Sequence, residues 1–244
     1  SIDRRILFTC HLVRIVAAPF IDTPGRRIVG HREVTVQTGA PPCRRRTPRS
    51  QDSPRRAACW YDVRMMYRAL LSDLDGTLLD TLQDLADAVN TVLAEFGFPE
   101  RALDDYRQFV GDGRRPLAMR ALPEERRSEE LIDRVSARIG EEYGRRLFDT
   151  TRPYDGIPEM LDELTTLGVR VAVLTNKPHD AAELMLKKLL PHWSFEVIAG
   201  ESASMPRKPD PAGALSIASQ MGLPPTGFVF LGDSGIDMHA AAAA

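Results

Sequence analysis

An α/β fold, a doubly wound parallel sheet carrying a small inserted α-helical unit, is what this 244-residue sequence predicts. Three observations carry the prediction. From Tyr154 onward short apolar strands alternate with amphipathic helices, which implies parallel strands with helices on both faces. Three strand patterns, one of them ahead of the helical stretch, end on polar residues, at Asp73, Thr175 and Asp233, and in such sheets the site lies beyond the carboxyl ends of the strands. Residues 82–150, by contrast, read as helices with no strand pattern among them. The expected organisation is an extension over 1–64, a sheet-bearing core made of 65–81 and 151–244, and a helical insertion over 82–150.

The first element is the apolar run Ala69, Leu70, Leu71, a short buried strand that ends on two carboxylates, Asp73 and Asp75. Gly76 follows and lets the chain peel away from the sheet. Two acids crowded at a strand end repel each other unless a cation or a shared proton compensates. A lone Asp-x-Asp is ordinarily an acidic turn. Asp-x-Asp-Gly-Thr behind an apolar strand points much more specifically to phosphoryl transfer.

After Thr81 the pattern turns helical. Leu82, Leu85, Ala86, Val89, Leu93 and Phe96 recur at spacings of three and four, Thr81 with Asp84 forms a candidate capping pair, and Gly97 is a natural stop. Further helices are expected over 103–110, 116–122 and 128–148, the last with a Glu/Arg-rich solvated face. The core resumes with a helix over 157–167 and a β-branched strand over 169–174. A helix over 180–190, a strand over 195–199, a helix over 211–221 and a strand over 228–231 complete it. Lys177 and His179 read as turn and helix-start residues.

Composition bounds the rest. Hydrophobic residues make up 43% and charged residues 27%, as in soluble globular proteins. No stretch approaches the roughly 18 apolar residues of a membrane helix, so no membrane partner is expected. The net charge of -2 hides an asymmetry, because residues 1–64 hold 13 Arg, no Lys and 5 acids. All three cysteines (Cys10, Cys43, Cys59) also lie there, so the remainder forms no disulfide, and a reducing, cytoplasmic setting is expected. The Arg/Pro-rich stretch has poor periodicity, with residues 6–18 and 28–36 as its only candidate elements. It is open to three readings: a basic arm for nucleic acid or a membrane surface, an Arg-rich transit peptide, or upstream sequence before a start at Met65-Met66. The last is favoured, with a disordered extension of unknown role next, which leaves nucleic acid disfavoured as a partner.

From Met66 onward the chain resembles the haloacid dehalogenase (HAD) superfamily, within it the phosphoglycolate phosphatase-like group. Four motifs carry the resemblance, in order: Asp73-Leu-Asp-Gly-Thr-Leu-Leu-Asp-Thr81, Leu174-Thr-Asn-Lys-Pro178, Arg207-Lys-Pro-Asp-Pro211 and Gly232-Asp-Ser-Gly-Ile-Asp237. Tyr154-Asp-Gly-Ile157, Val110-Gly-Asp-Gly113 and Arg120-Ala-Leu122 also look like that group. The resemblance implies a Rossmann-like core, an α-helical cap over 82–150 and hydrolysis of a small phosphorylated metabolite, foremost 2-phosphoglycolate. It implies Asp73 as nucleophile and Asp75 as general acid, then general base. Mg²⁺ would be held by Asp73, the backbone carbonyl of Asp75, and Asp233, with Asp237 supporting from behind. Thr175 and the Asn176 backbone N–H would hold the phosphoryl oxygens, and Lys208 would neutralise charge. Arg114 and Arg115, if not merely solvated, would meet a substrate carboxylate. Asp75 argues for phosphate over halide, because the superfamily's dehalogenases lack the second acid.

The family pattern continues past the fourth motif through a strand and a helix that are expected to be missing here. The strand at 228–231 is therefore expected to form an exposed apolar edge, and Asp233 and Asp237 to sit on a frayed end. Rival readings are another capped member, a pyrophosphatase or sugar-phosphate mutase, or a truncated inactive scaffold. The sequence leaves the oligomeric state open.

Overall fold

A computed structural model of the chain describes residues 8–9, 12–13, 67–202 and 205–244. Phe8–Thr9 and Leu12–Val13 pair antiparallel; the other sequence expectations over 1–64 lie outside the described residues. The main sheet has four parallel strands: β1 (Ala69–Ser72), β4 (Arg170–Pro178), β5 (Val197–Glu201) and β6 (Phe228–Leu231), in the order β5-β4-β1-β6. Leu71 aligns with Ala172 on one side and Phe230 on the other. With β1 central, the residue leaving its end, Asp73, emerges in the middle of the sheet's carboxyl edge.

Strand alternation sorts the side chains into two cores. Leu70, Val171 and Val173 pack with α5 (Ile157–Thr166) and α6 (His179–Leu189) on one face. Ala69, Leu71, Ala172, Leu174 and Phe230 pack with α7 (Ala212–Gln220) and α8 (Gly235–Ala243) on the other. Helices on both faces of a parallel sheet are the doubly wound arrangement the alternation predicts.

The inserted unit has its own core. Helices α1 (Leu82–Glu95), α2 (Leu103–Phe109), α3 (Arg114–Ala121) and α4 (Glu129–Arg146) bury Val89, Leu93, Tyr106, Leu117, Ile132 and Ile139 together. The chain leaves through β2 (Leu79–Asp80) and returns through β3 (Arg152–Pro153), which pair antiparallel, Leu79 opposite Pro153. Exit and re-entry are thus stitched side by side.

Four expectations need correction. The strand predicted to end at Leu174 runs on to Pro178, with a register shift between Leu174 and Pro178, so Thr175, Asn176 and Lys177 are buried strand residues. Thr81 does not cap α1 with its side chain, and Asp84 reaches across to the re-entry segment. The chain end is not frayed: the nine-residue helix α8 opens inside the fourth motif at Gly235 and runs to Ala243, with Asp237 and Ala240 fully buried. It packs back on β6, so the edge strand keeps Phe230 and Leu231 buried.

Asp84 is sealed from solvent and accepts from the backbone N–H of Thr150 (2.8 Å) and Thr151 (2.9 Å) and from both threonine hydroxyls. Burial pushes its pKa up, but the donors outweigh that and hold the carboxyl below its ordinary value. Asp84→Ala, which orphans those donors, should destabilise the protein by about 2–4 kcal/mol in thermal or urea unfolding. Because the folded pKa is depressed, the contribution is present at neutral pH and fades as pH falls through it, so wild type and variant should converge in acid.

Candidate active site

Asp73 is the first residue beyond β1, its N–H bonded to the Leu231 carbonyl (2.8 Å) at the start of the turn after β6. Asp233 lies in that turn and Asp237 in the first turn of α8. One oxygen from each of the three carboxylates falls within 4.8 Å of the others. Gly76 and Gly232 make this convergence possible. At Gly76, with φ +81°, a Cβ would stand 2.6 Å from an Asp233 oxygen; at Gly232 it would stand 2.5 Å from the Asp237 side chain.

Lys208 enters from the loop before α7, its ammonium buried between Asp237 Oδ1 (2.6 Å) and Asp73 Oδ1 (2.8 Å). The approach to Asp73 is a close ion pair, and the buried Asp73 Oδ1 has no further partner among the described residues. Burial raises the Asp73 pKa to about 7; Lys208 works against the shift, and Asp237 adds to it. Asp233, held by the Thr77 hydroxyl at 3.1 Å, is also raised by desolvation and by Asp237. Burial would strip Lys208 of its proton, but the two carboxylates hold its pKa above the ordinary value. Asp237 does two jobs: Oδ1 meets Lys208, while Oδ2 accepts from the Ser234 N–H (3.0 Å) and hydroxyl, capping α8.

Asp75 is not part of this cluster through its side chain. The β1 strand stops at Ser72, and the turn at Gly76 sends Asp75 toward Lys177, whose Nζ lies 3.0 and 3.1 Å from its two oxygens. The repulsion expected between two neighbouring acids is therefore relieved by a lysine for each. Lys177 is a buried ion-pair partner, not the turn residue the sequence suggests; His179 does open a helix, α6. The lysine's third partner is Tyr143 Oη, 2.8 Å away on α4 of the helical insertion.

Thr175 Oγ1 accepts from the Lys177 N–H at 3.2 Å. The Asn176 side chain accepts from the Lys208 N–H (2.8 Å) and donates to the carbonyls of Lys208 and Gly111, both at 3.0 Å. One amide thus fixes the Lys208 loop and docks the insertion's Val110–Gly113 loop over the cluster. Gly113 backs onto Arg207, where a Cβ would meet Nη1 at 2.8 Å. Arg114 and Arg115 do not join this group. Arg115 pairs with Asp133 (2.7 Å) and with Glu129, and Arg114 lies against Gly140. Both serve α4 of the insertion.

Among the residues to which the sequence assigns no role in the site are Lys177, Thr77 and Tyr143. The first two lie inside quoted motifs. Tyr143 carries no local signal, since it sits in a helix whose pattern is that of a solvated Glu/Arg face.

A divalent cation suits this donor set. Carboxylate oxygens are the ligands of hard ions such as Mg²⁺, and three carboxylates gathered within 4.8 Å of one another with a single lysine among them leave negative charge that such an ion would offset.

The family profile described as haloacid dehalogenase-like hydrolase matches residues 70–244. The chain is 35% identical over 181 residues to the phosphoglycolate phosphatase of Pseudomonas syringae pv. tomato, covering 72% of this chain and 66% of that protein. It therefore spans about two thirds of that relative's length. A structure described as a predicted phosphoglycolate phosphatase from Haemophilus somnus superposes with a TM-score of 0.68 at 30% identity, covering 73% and 82% of the two chains. That of CbbY from Rhodobacter sphaeroides in complex with phosphate gives 0.59 at 25% identity, covering 72% and 82%. Among the described residues no helix is long and apolar enough to cross a membrane.

Proposed function

The chain belongs to the haloacid dehalogenase-like hydrolase family, and on that premise we propose that it is a Mg²⁺-dependent phosphomonoester hydrolase acting on a small phosphorylated metabolite, foremost 2-phosphoglycolate. The observation that carries the reading is the convergence of Asp73, Asp233 and Asp237 around buried Lys208 at the sheet's carboxyl edge. The substrate is drawn from the relatives' names, and the phosphate held by the CbbY structure is consistent with it.

Asp73 attacks phosphorus and forms an aspartyl-phosphate, while Asp75 gives its proton to the leaving oxygen and afterwards takes one from the attacking water. Lys208 stabilises charge shared between Asp73 and the phosphoryl oxygens, which Thr175 and the Asn176 N–H also contact. Asp73, Asp233 and the Asp75 carbonyl would hold Mg²⁺, with Asp237 beside them. When bound, the ion offsets the negative charge that the ester and the carboxylates bring together. The helical insertion, docked through Asn176 and Gly111, excludes water from the reacting groups.

The test is phosphate release from 2-phosphoglycolate and p-nitrophenyl phosphate by the full chain. Turnover should fall to background in EDTA and return with Mg²⁺, and Mg²⁺ should raise the melting temperature, since it binds only the folded cluster. Phosphate release that ignores EDTA would refute the metal-dependent reading.

A further inference from the structure

Buried Lys177 and half-buried Tyr143 form a link between the helical insertion and the core. Lys177 stands at the end of β4 with only 4% of its side chain exposed, and it meets both oxygens of Asp75. Tyr143 comes from α4 of the insertion, and its oxygen lies 2.8 Å from the ammonium, whose position above the ring is 4.5 Å from the centroid. Both partners of Lys177 are thus fixed from opposite sides of the domain junction. Of the other acids of the site, Asp73 and Asp237 are matched by a different lysine, Lys208, and Asp233 accepts from the Thr77 hydroxyl.

We propose that Lys177, fixed by Tyr143, is a positioning residue for proton transfer to the leaving group: it holds the Asp75 carboxyl in place only while the insertion is docked. The inference rests on the phosphatase reading and deepens it. As the P–O bond breaks, the proton passes from Asp75 to the departing oxygen, and the carboxylate left behind is met by a cation already in place. Such an interaction strengthens along the reaction coordinate, so it acts on turnover and not on substrate binding. Because Tyr143 arrives with the insertion, an undocked insertion leaves Asp75 free to turn, which ties proton transfer to a closed, water-excluding site.

Leaving groups separate this role from a structural one. An alkyl phosphate such as 2-phosphoglycolate departs as a poor alkoxide and needs the proton, whereas p-nitrophenolate is a good leaving group and needs it far less. In the full chain with Mg²⁺, Lys177→Met should raise the ratio of kcat/KM for p-nitrophenyl phosphate to that for 2-phosphoglycolate by about 30- to 100-fold, since kcat/KM reports the step in which the leaving group departs and not the hydrolysis of the aspartyl-phosphate that both esters share. Tyr143→Phe, which keeps the ring and loses one hydrogen bond, should shift the ratio the same way by about 3-fold, and Lys177→Arg should recover part of the loss. Equal losses on both esters, or a loss confined to KM, would overturn the inference. Should the methionine variant not fold, the tyrosine variant decides alone, and an unchanged ratio there overturns it. Absence of turnover by the unsubstituted chain would instead refute the phosphatase reading on which this rests, before any substitution is made.

Discussion

Asp73→Asn should lower turnover by about 10⁴-fold or more, the scale on which removing a nucleophile acts when the rest of a site stays intact. The amide is the same shape and meets the same backbone, so the fold should persist. It cannot form an acyl phosphate, so acid-quenched wild type incubated with labelled ester should retain protein-bound phosphate and the variant should not. Stability should move the other way. Burial, partly offset by Lys208, raises the pKa of Asp73 in the metal-free protein to about 7 against 3.8. A raised carboxyl pKa means the folded state binds the extra proton, so stability falls as pH climbs between those two values. Metal-free Asp73→Asn should lose that part of the slope and melt higher than wild type at pH 8. Undiminished turnover by the variant would rule out a covalent role for Asp73.

Lys208→Met carries the second large effect, on stability and activity together. The ammonium is almost wholly enclosed and has two carboxylates within 2.8 Å. Removing it leaves Asp73 and Asp237 buried without a counter-charge, at a cost of about 3–5 kcal/mol. For a domain of this size that is roughly 10 °C in melting temperature. Turnover should fall by about 10²- to 10³-fold, as when one preorganised charge-stabilising donor is lost. Adding Asp237→Asn should restore part of the stability, because one of the stranded charges is gone, yet none of the activity. A double variant no more stable than the single one would mean that the Lys208–Asp237 pair does not carry the energy assigned to it.

How far the sequence reaches can be judged from particular residues. Asp73 and Asp233 were legible because apolar strands end where the acids begin, and a parallel sheet brings its strand ends to one edge whatever the loops between them do; Asp237 came only with the resemblance carried by the fourth motif. The helices of the insertion were legible from their apolar spacing. Asp84 was misread because Thr81-x-x-Asp84 is a local capping pattern, and no local pattern shows that Thr150 and Thr151 return to offer four donors. Arg114 and Arg115 were candidates for a substrate carboxylate from their charge and their place beside the Gly111–Gly113 loop; the structure gives Arg115 two acids of α4 and sets Arg114 against it.

By itself, the sequence determined the order of strands and helices, the place of the insertion and the two acids, Asp73 and Asp233, that end strands at the sheet's carboxyl edge. These follow from periodicity and chain direction, which are properties of neighbouring residues, while Asp237 followed from the motif resemblance. Only the tertiary structure decided which cation answers which acid: Lys208 for Asp73 and Asp237, Lys177 for Asp75, with Tyr143 arriving from the insertion. Buried charges are tolerated only in pairs, and pairing across 102 residues of chain, as between Asp75 and Lys177, is a matter of packing that no local pattern encodes.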